Sequence, residues 1–266
     1  MHPMLNTAVR AAREAGKTIL RYMERIQDLP VSAKGRNDFV TEIDRQAEAG
    51  IIRTLRKAYP QHAVLAEETG NHGVAGADYL WIIDPLDGTT NYVHGFPQFA
   101  VSIALQHKGR LDQAVVYDPL RQELFTASRG VGAWLDDRRI RVSRQHGLEG
   151  ALLGTGFPFK ELSRLESYLD TFRALIRNTA GIRRAGAASL DLAYVACGRL
   201  DGFWEFGLKP WDMAAGALLI EEAGGFVSDL RGGDRYLESG DILAGNPRIH
   251  SAMMQVLKET GLGANA

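Results

Sequence analysis

Asp84 and Asp87 stand three residues apart in WIIDPLDGTTNY, directly after the large apolar residues Trp81, Ile82 and Ile83. Pro85 between them fixes a backbone angle and forces the two carboxylates close together. No lysine or arginine lies within four residues of either one. Two ionised carboxylates in a shielded position repel each other unless one takes a proton or a cation intervenes. Donors made only of oxygen, with no histidine or cysteine beside them, select a hard ion, so Mg²⁺ is favoured over Zn²⁺.

Gly88-Thr89-Thr90 follows at once. A helical turn starting here would aim the Gly88 and Thr89 N–H groups outward beside the metal, and unpaired N–H groups at a helix start suit a phosphate. A carboxylate-held metal next to such a cradle points to metal-assisted hydrolysis of a phosphate ester. Glu67, after a short apolar run, and Asp212, ahead of an alanine-rich run, are further acids beside small residues. Each has an ordinary reading as well: Glu67 and Glu68 as a solvated pair, Asp84 as a turn cap, and Asp212 as a helix N-cap. The combination, rather than any one of them, carries the chemistry.

The elements that must position these residues are legible in the periodicity. Residues 4–25 and 40–58 place apolar side chains at helical spacing, the second stretch ending at Tyr59-Pro60. Strands are expected at Ala63–Ala66 and 79–83, and residues 99–143 alternate as an antiparallel meander. Beyond residue 148 the pattern changes. ALLGTGF, GFWEF, GFVSDL and DILAGN read as strands, while 160–178, SLDLAYVACG, DMAAGALLIEEAGG and Pro247–Thr260 read as helices. Gly225 is the expected stop of the helix over 212–223. Two fused α/β halves are expected, residues 1–147 carrying Glu67 and DPLDGTT and residues 148–266 carrying Asp212, with sheets and helices in alternating layers.

Composition narrows the class. Thirty-one Lys and Arg against 32 Asp and Glu argue against a dedicated, sequence-specific nucleic-acid binder. The single cysteine, Cys197, rules out an internal disulfide framework or a cysteine-based zinc site. No apolar stretch approaches the ~18 residues of a membrane span, and the N-terminus has no signal-peptide core. The expectation is a soluble, cytoplasmic protein without a membrane partner.

LAEETG (65–70), WIIDPLDGTTNYVHGFP (81–97) and KPWDMAAGALLIEEAGG (209–225), in that order, resemble the signatures of the inositol monophosphatase family. That family belongs to the lithium-sensitive, magnesium-dependent phosphatases. The resemblance runs over essentially the whole chain and is strongest to the bacterial SuhB-type branch. It implies a five-layer αβαβα sandwich, a homodimer, and an inositol-1-monophosphatase, which hydrolyses phosphoric monoesters and is inhibited by lithium. Carried over by position, Glu67, Asp84 and the Leu86 carbonyl would hold one Mg²⁺. Asp84, Asp87 and Asp212 would hold a second, and a third ion would touch Glu67. Thr89, supported by Asp44, would orient the attacking water together with Glu67. The Gly88 and Thr89 amides would grip the phosphate, with Lys34 near the entrance. Asp87, Gly186, Ala187, Ala188, Glu205 and Asp212 would face the substrate.

Two departures from the family bear on the substrate. Gly186-Ala187-Ala188 stands where well-studied animal members have Gly-Thr-Ala, and TGFPF (155–159) replaces their serine-bearing loop. Other sugar or polyol phosphates, glycerol 2-phosphate included, therefore stand beside inositol 1-phosphate as substrates. The SuhB-type resemblance also implies an alternative role in transcription antitermination with Nus factors and RNA polymerase, independent of catalysis. Arg138, Arg139, Arg141 and Arg144 would offer such partners a basic patch, or simply solvate a hairpin. A haloacid-dehalogenase-type phosphatase is disfavoured because its two aspartates are spaced by two and lie near the N-terminus. Fructose bisphosphatases and bisphosphate nucleotidases share the motif on longer chains.

Overall fold

Alternate residues of one strand feed two different cores. In β5 (Tyr79–Asp87), Trp81 and Ile83 pack with α1 (Pro3–Met23) and α2 (Glu42–Ala58). Ile82, between them, points the other way, into a cluster with α5 (Ala188–Ala196) and α6 (Pro210–Glu222). This is the two-residue period of a strand covered on both faces. The computed structural model describes residues 2–23, 31–35, 38–73, 76–158 and 162–260, with backbone alone over 31–35 and 38–41.

β5 is the sixth strand of an eight-stranded sheet. β3 (Ala63–Ala66) runs parallel beside it, followed by the edge strand β4 (Gly70–His72). On its other side lies the antiparallel meander β6 (Ala100–His107), β7 (Arg110–Asp118), β8 (Glu123–Ser128), β9 (Gly132–Leu135) and β10 (Arg138–Arg139). A separate hairpin pairs β1 (Val31–Gly35) with β2 (Asp38–Thr41).

The second sheet has the order β12 (Gly181–Arg183), β11 (Leu152–Thr155), β13 (Gly202–Glu205), β15 (Ile242–Gly245), β14 (Phe226–Ser228). α5 and α6 lie between the two sheets, which is why they are apolar nearly all round. Gly216 of α6 faces Leu192 of α5 so closely that no side chain fits there. α4 (Leu165–Ile176) and α8 (Pro247–Glu259) cover the outer face of the second sheet through Tyr168, Leu175, Met253 and Leu257, packed with Trp204 and Leu243. The stacking is therefore helix, sheet, helix, sheet, helix: the five layers that the resemblance implies. No helix among the described residues is long and apolar enough to cross a membrane.

Several boundaries differ from the sequence expectation. Val40 belongs to β2 and α2 begins at Glu42. β-Branched Val40 and Thr41 favour extended backbone, whereas Glu42 and Asp44 suit a helix N-terminus. The residue that stops α6 is Gly224, with φ +87°, not Gly225. The Gly224 N–H donates to the Glu221 carbonyl and the Gly225 N–H to the Ile220 carbonyl, a Schellman closure. The helix expected over 160–178 starts at Leu165 after a 3-10 turn at Leu162–Arg164. β5 continues to Asp87 rather than ending at Ile83. The helical turn read at Gly88-Thr89-Thr90 is α3 (Thr89–Val93), whereas the short elements β4, β12 and α7 (Tyr236–Ser239) had no periodic signal long enough to announce them.

Candidate metal and phosphate cleft

β5 carries its two aspartates to one side through a bulge. Asp84 pairs with Ser102 and Asp87 with Ala100, so three steps on β5 match two on β6. Without the extra residue, positions three apart would face opposite sides of the sheet. Pro85, which has no N–H to give to the ladder, sits inside the bulge. The Leu86 N–H donates to Asp84 Oδ1 at 2.9 Å and fixes the bend. Asp212 arrives from α6, and one carboxylate oxygen from each of Asp84, Asp87 and Asp212 lies within 4.8 Å of the other two.

Asp212 is not the N-cap of α6. Lys209 holds that position, Pro210 opens the helix, and Asp212 Oδ2 accepts the Lys209 N–H at 2.7 Å from the third helical position. Glu67 follows β3, held by its N–H to the Ile83 carbonyl at 3.1 Å. Asp84 is buried, and its carboxyl is pushed well above the usual carboxylate range, by burial first and then by Glu67, Asp87 and Asp212. A dense group of oxygen donors that cannot all ionise alone fits a hard divalent cation such as Mg²⁺.

The turn expected to receive a phosphate is built on Gly88, the N-cap of α3, with φ 90°. A Cβ there would meet the Gln98 carbonyl at 2.8 Å and the Ala187 Cβ at 3.3 Å, so only glycine fits. The Thr89 hydroxyl has the Asp44 Oδ1 at 3.1 Å and the Leu86 carbonyl at 3.0 Å, and its one proton serves one of them at a time. Asn91 donates to the Ala185 and Gln98 carbonyls at 2.9 and 2.8 Å, tying the turn to the loop ahead of α5.

These residues line a cleft of about 480 Å³. Glu67, Asp84, Leu86, Asp87, Gly88, Thr89, Asp212, Gly186, Ala188 and Glu205 all reach it. Asp44 lies beneath, fully buried. The Ala187 side chain is buried in the core cluster instead of lining the cleft. Lys34 falls on β1, and its side chain lies outside the described residues.

Two contributors, Glu48 and Ser189, escaped the sequence reading. Fully buried Glu48 accepts the Glu68 N–H at 2.8 Å and the Thr69 N–H and hydroxyl at 3.0 and 2.6 Å, fixing the turn after Glu67. Its signal was present: Asp44 and Glu48, four apart, share the face of α2 that buries Ile43, Ala47 and Ile51. Ser189 donates to Asp87 Oδ2 from its N–H at 2.8 Å and its hydroxyl at 2.6 Å. Arg184, His94 and Gly156 also line the cleft.

The model of the inositol monophosphatase family matches residues 1–261. A Pseudomonas aeruginosa protein named Nus factor SuhB is 60% identical over 262 residues, 97% of each chain. The crystal structure of the extragenic suppressor protein SuhB from Bartonella henselae superposes with a TM-score of 0.94 at 46% identity, covering 97% of this chain and 99% of that one. Inositol monophosphatase from Anabaena (Nostoc) superposes with a TM-score of 0.85 at 41% identity, over 96% and 95% of the two chains.

Proposed function

The chain belongs to the inositol monophosphatase family, and from that premise we propose that it acts as a Nus factor of the SuhB type and keeps a Mg²⁺-dependent phosphomonoesterase in its acidic cleft. The observation that carries the first role is the 60% identity, over nearly the whole of both chains, to a protein named Nus factor SuhB. In this reading transcription antitermination, with Nus factors and RNA polymerase as partners, is the main cellular task, hydrolysis is secondary, and the chain works as a homodimer. The observation that carries the second role is the convergence of Asp84, Asp87 and Asp212 beside the Gly88 turn.

In the hydrolytic reading, Asp84, Asp87, Asp212, Glu67 and the Leu86 carbonyl hold two to three Mg²⁺ ions. Bound Mg²⁺ supplies Lewis-acid activation of water and of the phosphate oxygens. The chain's own residues do the rest. Asp44 fixes the Thr89 hydroxyl, which with Glu67 orients the attacking water. The Gly88 and Thr89 amides receive the phosphate. Glu205 and the Gly186–Ala188 backbone face the hydroxyls of a polyol such as inositol 1-phosphate.

Two measurements on the purified full chain test the pair of roles. Phosphate release from inositol 1-phosphate and related esters should require Mg²⁺ and stop with EDTA, and a substantial metal-free rate would remove the hydrolytic reading. Affinity capture with purified Nus factors and RNA polymerase should retain the chain, and its failure to bind any of them would remove the transcriptional one.

A further inference from the structure

Helix α5 has no cap of its own. Its N-cap position is Ala187, whose side chain cannot accept a hydrogen bond. The missing acceptor comes from the other half of the chain: Asp87 Oδ2 takes the Ser189 N–H at 2.8 Å and the Ser189 hydroxyl at 2.6 Å. Ser189 is fully buried and Asp87 is 9% exposed, so water competes little for these bonds. Two donors converging on one oxygen restrict rotation of the carboxylate, and an anion at a helix start is further favoured by the helix dipole. The same junction is closed twice more, by Ala187 against Gly88 and by Asn91 on the Ala185 carbonyl.

We infer that Ser189 is a positioning residue: it fixes the Asp87 carboxylate for the metal and couples the loop at 186–188 to metal occupancy. The inference rests on the hydrolytic reading above, in which Asp87 is a metal ligand. Groups that hydrogen-bond a metal-binding carboxylate set its orientation, and their loss typically costs about 10–100-fold in metal affinity or activity. Ser189→Ala deletes the hydroxyl bond and leaves the N–H bond, so the lower end of that range applies.

The test is Mg²⁺ binding by isothermal titration calorimetry, together with the Mg²⁺ dependence of inositol 1-phosphate turnover, on wild type, Ser189→Ala and Ser189→Thr. Ser189→Ala should raise the half-saturating Mg²⁺ concentration about tenfold, while kcat at saturating Mg²⁺ changes less than about twofold. Ser189→Thr keeps the hydroxyl but adds a methyl to a packed site. It should lower the melting temperature of the metal-free protein and retain wild-type Mg²⁺ affinity. That reversal separates positioning from packing. Wild-type Mg²⁺ affinity in Ser189→Ala, beside a wild type that binds and hydrolyses normally, overturns the inference alone. A fall in kcat with unchanged Mg²⁺ affinity overturns it too. Absence of Mg²⁺ binding in the wild type removes the hydrolytic reading and this inference with it.

Discussion

The Glu205 carboxyl occupies the space in which a side chain on Gly156 would begin. Gly156 follows β11 and Glu205 ends β13, neighbouring parallel strands, so the bare backbone of one admits the acid of the other to the cleft. Gly156 has no positive φ, so its glycine is needed for space and not for conformation.

Gly156→Ala should therefore push Glu205 out of place with little loss of stability. The expected result is a rise of about tenfold in KM for a polyol phosphate, equivalent to losing one charge-assisted hydrogen bond of about 1.4 kcal/mol. The Mg²⁺ half-saturation should not move. Steady-state kinetics at several Mg²⁺ concentrations separate the two, and an unchanged KM would take Glu205 out of substrate recognition.

Asp87→Asn should keep the fold and lose activity by about 10³-fold, about 4 kcal/mol of transition-state stabilisation. The amide oxygen can still accept the two Ser189 bonds, so α5 stays capped. Without Mg²⁺ the melting temperature should hold or rise, because one charge beside Asp84 is gone. Turnover near the wild-type level would reduce Asp87 to a helix cap.

Metal-free stability should depend on pH through Asp84. Its folded pKa is raised, so the native state keeps a proton that the unfolded chain has lost. That contribution is fully present below the ordinary carboxylate pKa and fades as pH rises toward the folded value. Buried Asp191, raised by burial and by Asp87, acts in the same direction. Asp84→Asn removes the Asp84 part together with its repulsion of Glu67, Asp87 and Asp212, while groups that do not interact with it, such as Asp191, cancel in the comparison. Its melting temperature relative to wild type should climb as pH rises from 4 to 7, read by circular dichroism in EDTA. A flat difference would mean that Asp84 ionises freely in the cluster.

The cleft was legible where chemistry is local and illegible where it is tertiary. Asp84, Asp87, Gly88 and Thr89 lie within six residues of each other, and their types alone suggested a metal beside a phosphate. The bulge that turns both aspartates to one face depends on β6 as a partner, and DPLD does not contain that information. Ser189 meets Asp87 across 102 positions, and a serine in the first turn of a helix has many ordinary uses. Glu48 lies on the buried face of α2, but the turn after β3 that it holds is 20 positions away, and nothing local names that partner. Alternating layers were readable from the order of strands and helices, because each must cover an apolar face of the other, while the order of the five layers came from the family resemblance.

Arg183 and Arg184 allow the two proposed roles to be separated. They adjoin the end of β12, an edge strand of the second sheet, and their environments differ. Arg184 lines the cleft with its guanidinium 5.1 Å from the Phe157 ring, whereas Arg183 is exposed. Arg184→Glu places a negative charge in the cleft proposed to take an anionic substrate, so turnover should fall by at least about tenfold, the equivalent of about 1.4 kcal/mol. Arg183→Glu should leave Mg²⁺-dependent turnover intact and weaken self-association, partner capture or both, because an exposed edge strand is a natural docking surface. Asp87→Asn, acting inside the cleft, should capture partners as the wild type does. Light scattering after size exclusion, with affinity capture by Nus factors and RNA polymerase, reads all three variants. Unchanged mass and unchanged capture in Arg183→Glu would return that arginine to a solvated role. Loss of capture in Asp87→Asn would instead tie association to the metal cleft, making the two roles one.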